Sequence, residues 1–329
     1  MDPNLAEVDP LDPANEPLLH AMYDVAVAAR ADRPFEVWAP WPTAYATWTT
    51  PRDDMHEVMW SAEADGQVVG MAHLFMGRLD NQHVAETHLF VHPDHRRRGI
   101  GSALLKTVTD RSRAAGRTVL MTAPYSPVDG PGPGELFLDA RGFELGIAEM
   151  QQACDLDESE PGWPTPPETG YRLEPWQDRI PEALVAGYCA MGEAFNSEAP
   201  LGELDLEDEV WSPERVAERD ERYLATGRHQ FGVLAYAADG TCVGTTELFV
   251  NQAATWRALQ GGTLVVRGHR GHRLGLALKL VNLRAVRATY PDCRLVFTAV
   301  AGVNAPMNAV NEVLGFRDVE RTLEMQLRL

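Results

Sequence analysis

The chain repeats itself across its midpoint, and that repeat dictates two similar folds rather than one large one. Val91-His92-Pro93-Asp94-His95-Arg96-Arg97-Arg98-Gly99-Ile100-Gly101-Ser102 in the first half is answered by Val265-Val266-Arg267-Gly268-His269-Arg270-Gly271-His272-Arg273-Leu274-Gly275-Leu276 in the second. Three more landmarks keep the same order. Gly70 and Gly244, inside similar apolar runs ending Leu-Phe, lie 174 residues apart. The Gly142-Phe143 and Gly315-Phe316 steps lie 173 apart, and Glu149-Met150-Gln151 precedes Glu324-Met325-Gln326 by 175. A period this long exceeds any solenoid unit and marks a duplicated domain.

Each basic loop follows an apolar strand and opens an apolar helix. Such a loop aims free backbone N–H groups and the positive end of a helix at one point, which suits a phosphate or pyrophosphate. Apolar spacing predicts a first helix over 18–29 and 181–195, and strands over 68–76 and 242–250 after Asp65-Gly66 and Asp239-Gly240 hairpin signals. Strands over 84–91 and 262–266 lead into the loops, followed by helices (102–115, 276–288), buried strands (118–123, 294–300) and terminal strands (146–154, 321–329). The expected class is α/β (α+β): in each half a mixed, mostly antiparallel twisted sheet with helices on both faces. The acidic, proline-rich stretch 157–167 reads as a semi-rigid linker between domains 1–156 and 168–329.

Composition narrows the function. A chain of 329 residues with 45% hydrophobic content can bury two cores. A net charge of −19 argues against a nucleic-acid partner, yet the basic clusters 96–98 and 267–273 break that trend inside the two loops. No apolar run is long enough to span a bilayer, and Met1-Asp2-Pro3-Asn4 lacks a signal pattern, so a cytoplasmic protein without a membrane partner is expected. Four scattered cysteines without a Cys-x-x-Cys pair read as buried thiols in a reducing compartment. His269 and His272 lack a third ligand, so no metal site is expected.

The loop Arg96-x-x-Gly99-x-Gly101 lacks the Lys-Ser/Thr of nucleotide-triphosphate loops and the third glycine of dinucleotide loops. What remains resembles the GNAT superfamily of acyl-CoA-dependent N-acetyltransferases. The resemblance covers nearly the whole chain as two tandem copies, an arrangement similar to two-domain actinobacterial acetyltransferases. It implies acetyl-CoA as donor, with Arg96, Arg97, Arg98, Gly99, Ile100, Gly101 and Ser102 around the coenzyme pyrophosphate. It further implies a strand bulge and carbonyl-polarising backbone N–H near Leu89, Phe90 and Val91, and near Leu264, Val265 and Val266. The second loop has a longer interval between arginine and glycine, so its coenzyme contacts fall among Arg270, Gly271, His272, Arg273, Leu274, Gly275, Leu276 and Ala277, in one of two registers. Either Arg270 matches Arg96, or His272 takes that place.

The family often shows Asn, then Tyr seven residues on as general acid, then Gly-Phe. Asn304 matches the first and is expected at the catalytic and coenzyme site; Asn311 takes the tyrosine place and is expected at the coenzyme. An amide cannot give up a proton, and the equivalent place in the first half is Leu138, so the usual acid is absent from both copies. Carboxylates that could take the acceptor's proton are Glu247 in the second half and Glu86 in the first. His73, aligned with Glu247, reads more simply as a satisfied strand histidine. Trp38, Trp41, Tyr45 and Trp48 read first as loop packing, second as an acceptor pocket wall; the acidic run 203–209 reads first as a solvated loop, second as an attractor of a cationic amine.

The expected function is acetyl transfer from acetyl-CoA to the primary amine of a small metabolite, by a monomer or homodimer, with turnover in the second half because it keeps Asn304 and a regular helix into Gly315-Phe316. The alternatives are a non-catalytic acyl-CoA binding or sensing protein, and protein or peptide N-acetylation.

Overall fold

Period-2 apolar runs become strands and the two basic loops become helix starts. In the computed structural model the described residues are 3–33 and 38–329, so Met1 and Asp2 of the N-terminus read above lie outside them. The first half gives β1 (Asn4–Val8), α1 (Glu16–Ala28), α2 (Trp41–Thr49), β2 (Met55–Ala64), β3 (Gln67–Gly77), β4 (Val84–Val91), α3 (Ile100–Ala114), β5 (Val119–Thr122), β6 (Tyr125–Ser126), α4 (Pro133–Asp139) and β7 (Glu144–Asp155). The second gives α5 (Leu156–Ser159), β8 (Arg172–Gln177), α6 (Glu182–Glu198), α7 (Pro213–Ala225), β9 (Arg228–Tyr236), β10 (Cys242–Asn251), β11 (Arg257–Val265), α8 (Leu274–Thr289), β12 (Leu295–Ala301), α9 (Ala305–Leu314) and β13 (Arg317–Arg328). No helix among the described residues is long and apolar enough to cross a membrane.

The chain divides into two compact units. Unit 1 is Met1–Ile147, Gly202–Leu206 and Leu323–Leu329; unit 2 is Ala148–Leu201 and Glu207–Thr322. In unit 1 the strands run β1-β2-β3-β4-β5, antiparallel as far as β4 and parallel between β4 and β5. Residues 325–328 of β13 complete that sheet, antiparallel to β5. Unit 2 repeats the order as β8-β9-β10-β11-β12, again with one parallel pair, β11–β12, and is completed by residues 149–155 of β7.

The units cut the chain elsewhere than the sequence boundaries do. The Glu-Met-Gln copies sit in the final strands as expected, but each completes the sheet of the other half of the sequence. The stretch 157–167, expected as a linker, is bound into unit 2. Leu156 and Trp163 are buried in its core, Trp163 Nε1 donates to the Leu314 carbonyl at 2.9 Å, and Arg287 pairs with Asp157 (2.6 Å) and Glu160 (3.1 Å). One buried indole with its N–H satisfied outweighs the proline-rich composition around it. The acidic run expected as a solvated loop is likewise split. Its residues 202–206 belong to unit 1, where Leu204 and Leu206 pack on Val84, Val119 and Met121.

In unit 1, Ile100, Leu104, Leu105 and Val108 form one stripe of α3 and pack on Val58, Trp60, Ala72 and Leu74 of the sheet. The opposite face carries Met59 and Met71 under Leu19, Met22 and Ala26 of α1 and Trp48 of α2. Leu104 is fully buried, so truncation to alanine there costs about 2–5 kcal/mol. Helices on both faces of the strand that feeds the loop hold that loop in place.

Candidate active site

The two basic loops share one geometry, and it settles their register. Arg96 donates from Nε to the Val91 carbonyl (3.4 Å) and from Nη2 to the carbonyl of Ala29, the C-cap of α1 (3.0 Å). Arg270 donates from Nε to the Val265 carbonyl (2.9 Å) and from Nη2 to the carbonyl of Glu198, the last residue of α6 (3.2 Å). Arg97 and Gly271 both have positive φ (65° and 88°), as do Gly99 and Arg273 (86° and 57°). The loops therefore match residue for residue at a spacing of 174: Arg270 takes the place of Arg96, and the register that put His272 there is overturned. Gly275 corresponds to Gly101, while Arg273 stands in the left-handed position that Gly99 fills without strain.

Arg96 and Arg270 are thus braces between strand end and first helix, Arg96 held by carbonyls and Arg270 by carbonyls and the Glu198 carboxylate. The cations left outward in unit 1 are Arg97 and Arg98, both exposed, at the start of α3. Ile100, Gly101 and Ser102 form the first turn of α3, whose N–H groups have no carbonyl one turn back. Arg141, which sequence spacing gave no reason to single out, donates to Ser102 Oγ at 2.6 Å and lies close enough to Arg97 for their like charges to be felt. In unit 2 the first turn of α8 holds Leu274, Gly275, Leu276 and Ala277; Gly271, His272 and Arg273 are exposed before it, and Glu198 takes up Arg270 at 2.8 Å. His269 Nδ1 meets the Tyr171 hydroxyl at 2.9 Å.

Beyond the loops, both sheets split open. The β4–β5 ladder runs over Val84↔Val119, Ala85↔Leu120 and Glu86↔Met121, and β11–β12 over Arg257↔Leu295, Ala258↔Val296 and Leu259↔Phe297. Leu89, Phe90 and Val91, and Leu264 and Val265, lie past those ladders, on strand edges with no neighbour there among the described pairings. Val266 follows, its N–H bonded to Val243 as His92 N–H is to Val69. The expected bulge is elsewhere. β4 pairs with β3 in unbroken register, whereas β11 gains one residue opposite Thr246–Leu248, at Gly261-Gly262, upstream of Leu264.

That extra residue changes which side chains face the split. Glu86 pairs with Phe75 and Met121; the residue in the same place of unit 2 is Leu259, paired with Phe249 and Phe297. Glu86, His88 and Phe90 alternate onto one face of β4. There His88 Nε2 lies 4.0 Å from Glu86 Oε1, with Phe75 (5.2 Å) and Trp38 (5.7 Å) edge-on to its ring. Arg30 stacks over Trp38 (3.8 Å) and Phe90 (4.0 Å). The Glu86 side chain is 59% accessible. Crowding out of water raises its carboxyl above the ordinary range, and the open side tempers the rise. The same desolvation, with His73 and Arg30 nearby, pushes His88 down to about 3, so it is neutral. His73 itself is buried and bonded to Glu57 Oε2 at 2.8 Å; Trp41, Tyr45 and Trp48 of α2 pack against α1.

In unit 2 the matching region is apolar. Phe195 presses on Gly262 so closely that a Cβ there would lie 2.6 Å from its ring, and Phe249 does the same to Gly261 at 2.7 Å. Glu247 is held beneath, accepting from Gln230 (2.9 Å) and pairing with Arg219 (3.5 Å), which also pairs with Asp220 (2.8 Å). Burial raises its carboxyl; Arg219 opposes the rise, Asp220 adds to it, and the Gln230 bond opposes it. Asn304 caps α9, its Oδ1 accepting from Met307 N–H at 3.3 Å. Asn311 is fully buried, accepting from Lys279 Nζ (2.6 Å) and donating to Gln152 (2.7 Å). So Asn304 and Asn311, expected at the active site, are committed to a helix cap and to a buried polar chain.

The profile described as "Acetyltransferase (GNAT) family" matches residues 19–126. The chain is 34% identical to a mycothiol acetyltransferase of Saccharomonospora viridis over 282 residues, which is 82% of this chain and 83% of that protein. It is 30% identical to the mycothiol acetyltransferase of Amycolatopsis mediterranei over 258 residues, 77% and 78% of the two chains. A solved tandem GNAT protein from the clavulanic acid biosynthesis pathway superposes with a TM-score of 0.80 at 27% identity, covering 99% of this chain and 98% of that one.

Proposed function

The chain belongs to the GNAT acetyltransferase family, and from that membership we propose that unit 1 moves the acetyl group of acetyl-CoA to the primary amine of a small metabolite. The chain is an acyl-CoA-dependent N-acetyltransferase. The observation that carries it is Glu86: a carboxylate on β4 at the opened β4–β5 edge, with its pKa raised, where unit 2 offers Leu259.

The residues present fit the coenzyme. Arg97, Arg98 and the first N–H groups of α3 offer charge and donors to a pyrophosphate, and Gly99 brings no side chain between them. The free edge of β4 over Leu89–Val91 offers backbone groups to an extended amide arm and to a thioester oxygen. When bound, the donor supplies an activated acetyl group. Glu86 then takes a proton from the acceptor ammonium, making the amine nucleophilic, and its raised pKa brings it nearer to that task. Neutral His88 adds no competing positive charge beside it. The aromatic wall of Trp38, Phe75 and Phe90 bounds the acceptor side of β4, with Arg30 stacked on Trp38 and Phe90.

Unit 2 is read as a coenzyme-binding unit without transfer. Its loop keeps the helix start and Arg273, but Phe195 and Phe249 occupy the acceptor side and Glu247 is tied to Arg219. The expectation of turnover there rested on Asn304 and α9, and the Asn304 carboxamide is engaged in the cap. The test is thiol release from acetyl-CoA with a panel of primary amines: deacetylated mycothiol, amino acids, aminoglycosides and polyamines. Turnover that survives Gly275→Asp and disappears in Gly99→Asp supports unit 1. The opposite pattern overturns it.

A further inference from the structure

We infer that Tyr125 is the proton donor to the departing coenzyme A sulfur in unit 1, an assignment that rests on unit 1 being the transferring unit. Breaking a thioester leaves an electron pair on sulfur, and a group that protonates it as the bond breaks lowers the barrier. The place where an acid is expected from sequence holds Leu138, which is buried in the core under α3 and carries no proton to give.

Sheet geometry brings another hydroxyl to the right face. Glu86 and Met121 are register partners on parallel strands, so their side chains leave the same face of the sheet. Counting by two from each gives His88 and Phe90 on β4, and Ala123 and Tyr125 on the chain leaving β5. The backbone stays extended there: Thr122 pairs with Met325, and the Pro124 carbonyl accepts from Leu323 N–H at 3.0 Å. Phe90 and Tyr125 therefore flank the two sides of the split that an extended thioester would enter.

Two arginines just past the end of α1 mark both flanks. Arg30 stacks on Phe90 at 4.0 Å, and Arg33 stacks on the Tyr125 ring at 3.6 Å. Nearby hydroxyls are already engaged: Thr87 donates to the His73 carbonyl (3.1 Å), Thr122 to the Thr87 carbonyl (2.8 Å), and Ser126 to Glu135 (2.6 Å). The half-buried Tyr125 hydroxyl has no hydrogen-bond partner among the described residues.

The amine nitrogen, having lost one proton to Glu86, bonds to the acetyl carbon. The carbon–sulfur bond breaks with its electron pair going to sulfur, and sulfur takes the phenolic proton of Tyr125. The phenolate, steadied by the Arg33 guanidinium over its ring, regains a proton from the new amide nitrogen as that nitrogen sheds its surplus one. Overall, ammonium and thioester become amide and thiol, and one proton leaves through Glu86 to water.

Tyr125→Phe tests this in the full chain, because phenylalanine keeps the ring under Arg33 and removes only the O–H. With the amine that wild type acetylates fastest in the panel above, kcat is expected to fall on the order of a hundredfold. Acetyl-CoA affinity by calorimetry should stay within about twofold. Unchanged kcat, or a loss confined to KM, overturns the assignment. Failure of the underlying reading looks different: wild type then binds acetyl-CoA and acetylates no amine, or keeps its turnover in Gly99→Asp.

Discussion

Leu259 stands in unit 2 where Glu86 stands in unit 1, each two pairs along the single parallel ladder of its sheet. The substitution leaves a proton acceptor at the opened sheet edge of unit 1 and an apolar side chain at that of unit 2. It is the difference between the units with the most direct chemical consequence, since an ammonium must lose a proton before it can attack.

Glu86→Gln keeps the side chain's shape and removes the accepting charge. Turnover is expected to fall by about a hundredfold or more while acetyl-CoA still binds. Glu247→Gln should leave turnover within a few-fold but strand Arg219 with one fewer anionic partner, lowering stability by about 1–3 kcal/mol. Steady-state rates and melting temperatures of the two variants separate these roles. If Glu247→Gln is the variant that stops transfer, the division of labour is reversed.

In wild type, kcat/KM should drop as pH falls through the Glu86 pKa, because only the ionised carboxylate accepts a proton. Desolvation raises that pKa, so the acid limb should sit above the ordinary glutamate range. His88, neutral down to about 3, should add no limb of its own between pH 5 and 8. A profile whose acid limb survives in Glu86→Gln would assign it to another group.

The repeat, the loops and most strands were legible in the sequence because they depend on local spacing: apolar alternation, a glycine at a left-handed turn, a helix stripe. The register of the second loop was not. Sequence spacing invited a match of Gly275 to Gly99, and the brace from Arg270 to the Val265 carbonyl with the positive φ of Arg273 shows that Arg273 carries the strained position. The match of Glu86 to Leu259 was hidden by one extra residue at Gly261-Gly262, which shifts the face of every residue before it. Trp163 shows the same limit from another side. Proline-rich composition describes a segment's local preferences, and a single buried indole with a partner in α9 overrides them.

The strained arginines predict opposite effects on stability and binding. Arg97 holds φ at 65°, a left-handed conformation that costs a side-chain-bearing residue about 1–2 kcal/mol. Arg97→Gly removes that strain and gives back about 0.5–1 kcal/mol as unfolded-state entropy, so melting should be unchanged or slightly raised. Coenzyme affinity should fall, and the fall should shrink at high salt because it is electrostatic. Calorimetry at two ionic strengths, beside a melting curve, checks both signs.

Trp163→Ala tests whether residues 157–167 belong to a core. The ring is buried with Cys154, Leu314 and Phe316, and its N–H is satisfied by Leu314. Truncation should cost about 3–5 kcal/mol. A change below about 0.5 kcal/mol would restore the reading of that stretch as a linker.

Lys279 offers a prediction whose sign is fixed by its burial. Its amine is buried on α8, hydrogen-bonded to Asn311 and 5.3 Å from the Phe316 ring, and desolvation lowers its pKa to about 7 against the partial opposition of Cys154. In the unfolded chain a lysine titrates near about 10.4. Between those values the folded state binds fewer protons than the unfolded one, so unfolding takes up a proton and rising pH opposes it. This contribution should therefore increase stability from about pH 7 to about pH 10 and stay flat below. Lys279→Met removes the titrating amine while keeping its length and apolar stem, at the cost of leaving Asn311 with one bond fewer. The difference in melting temperature, wild type minus variant, should climb through that window. Parallel curves across it would mean that Lys279 holds its proton equally in both states, and that Asn311, Gln152 and Asp318 screen the charge well enough to bury it.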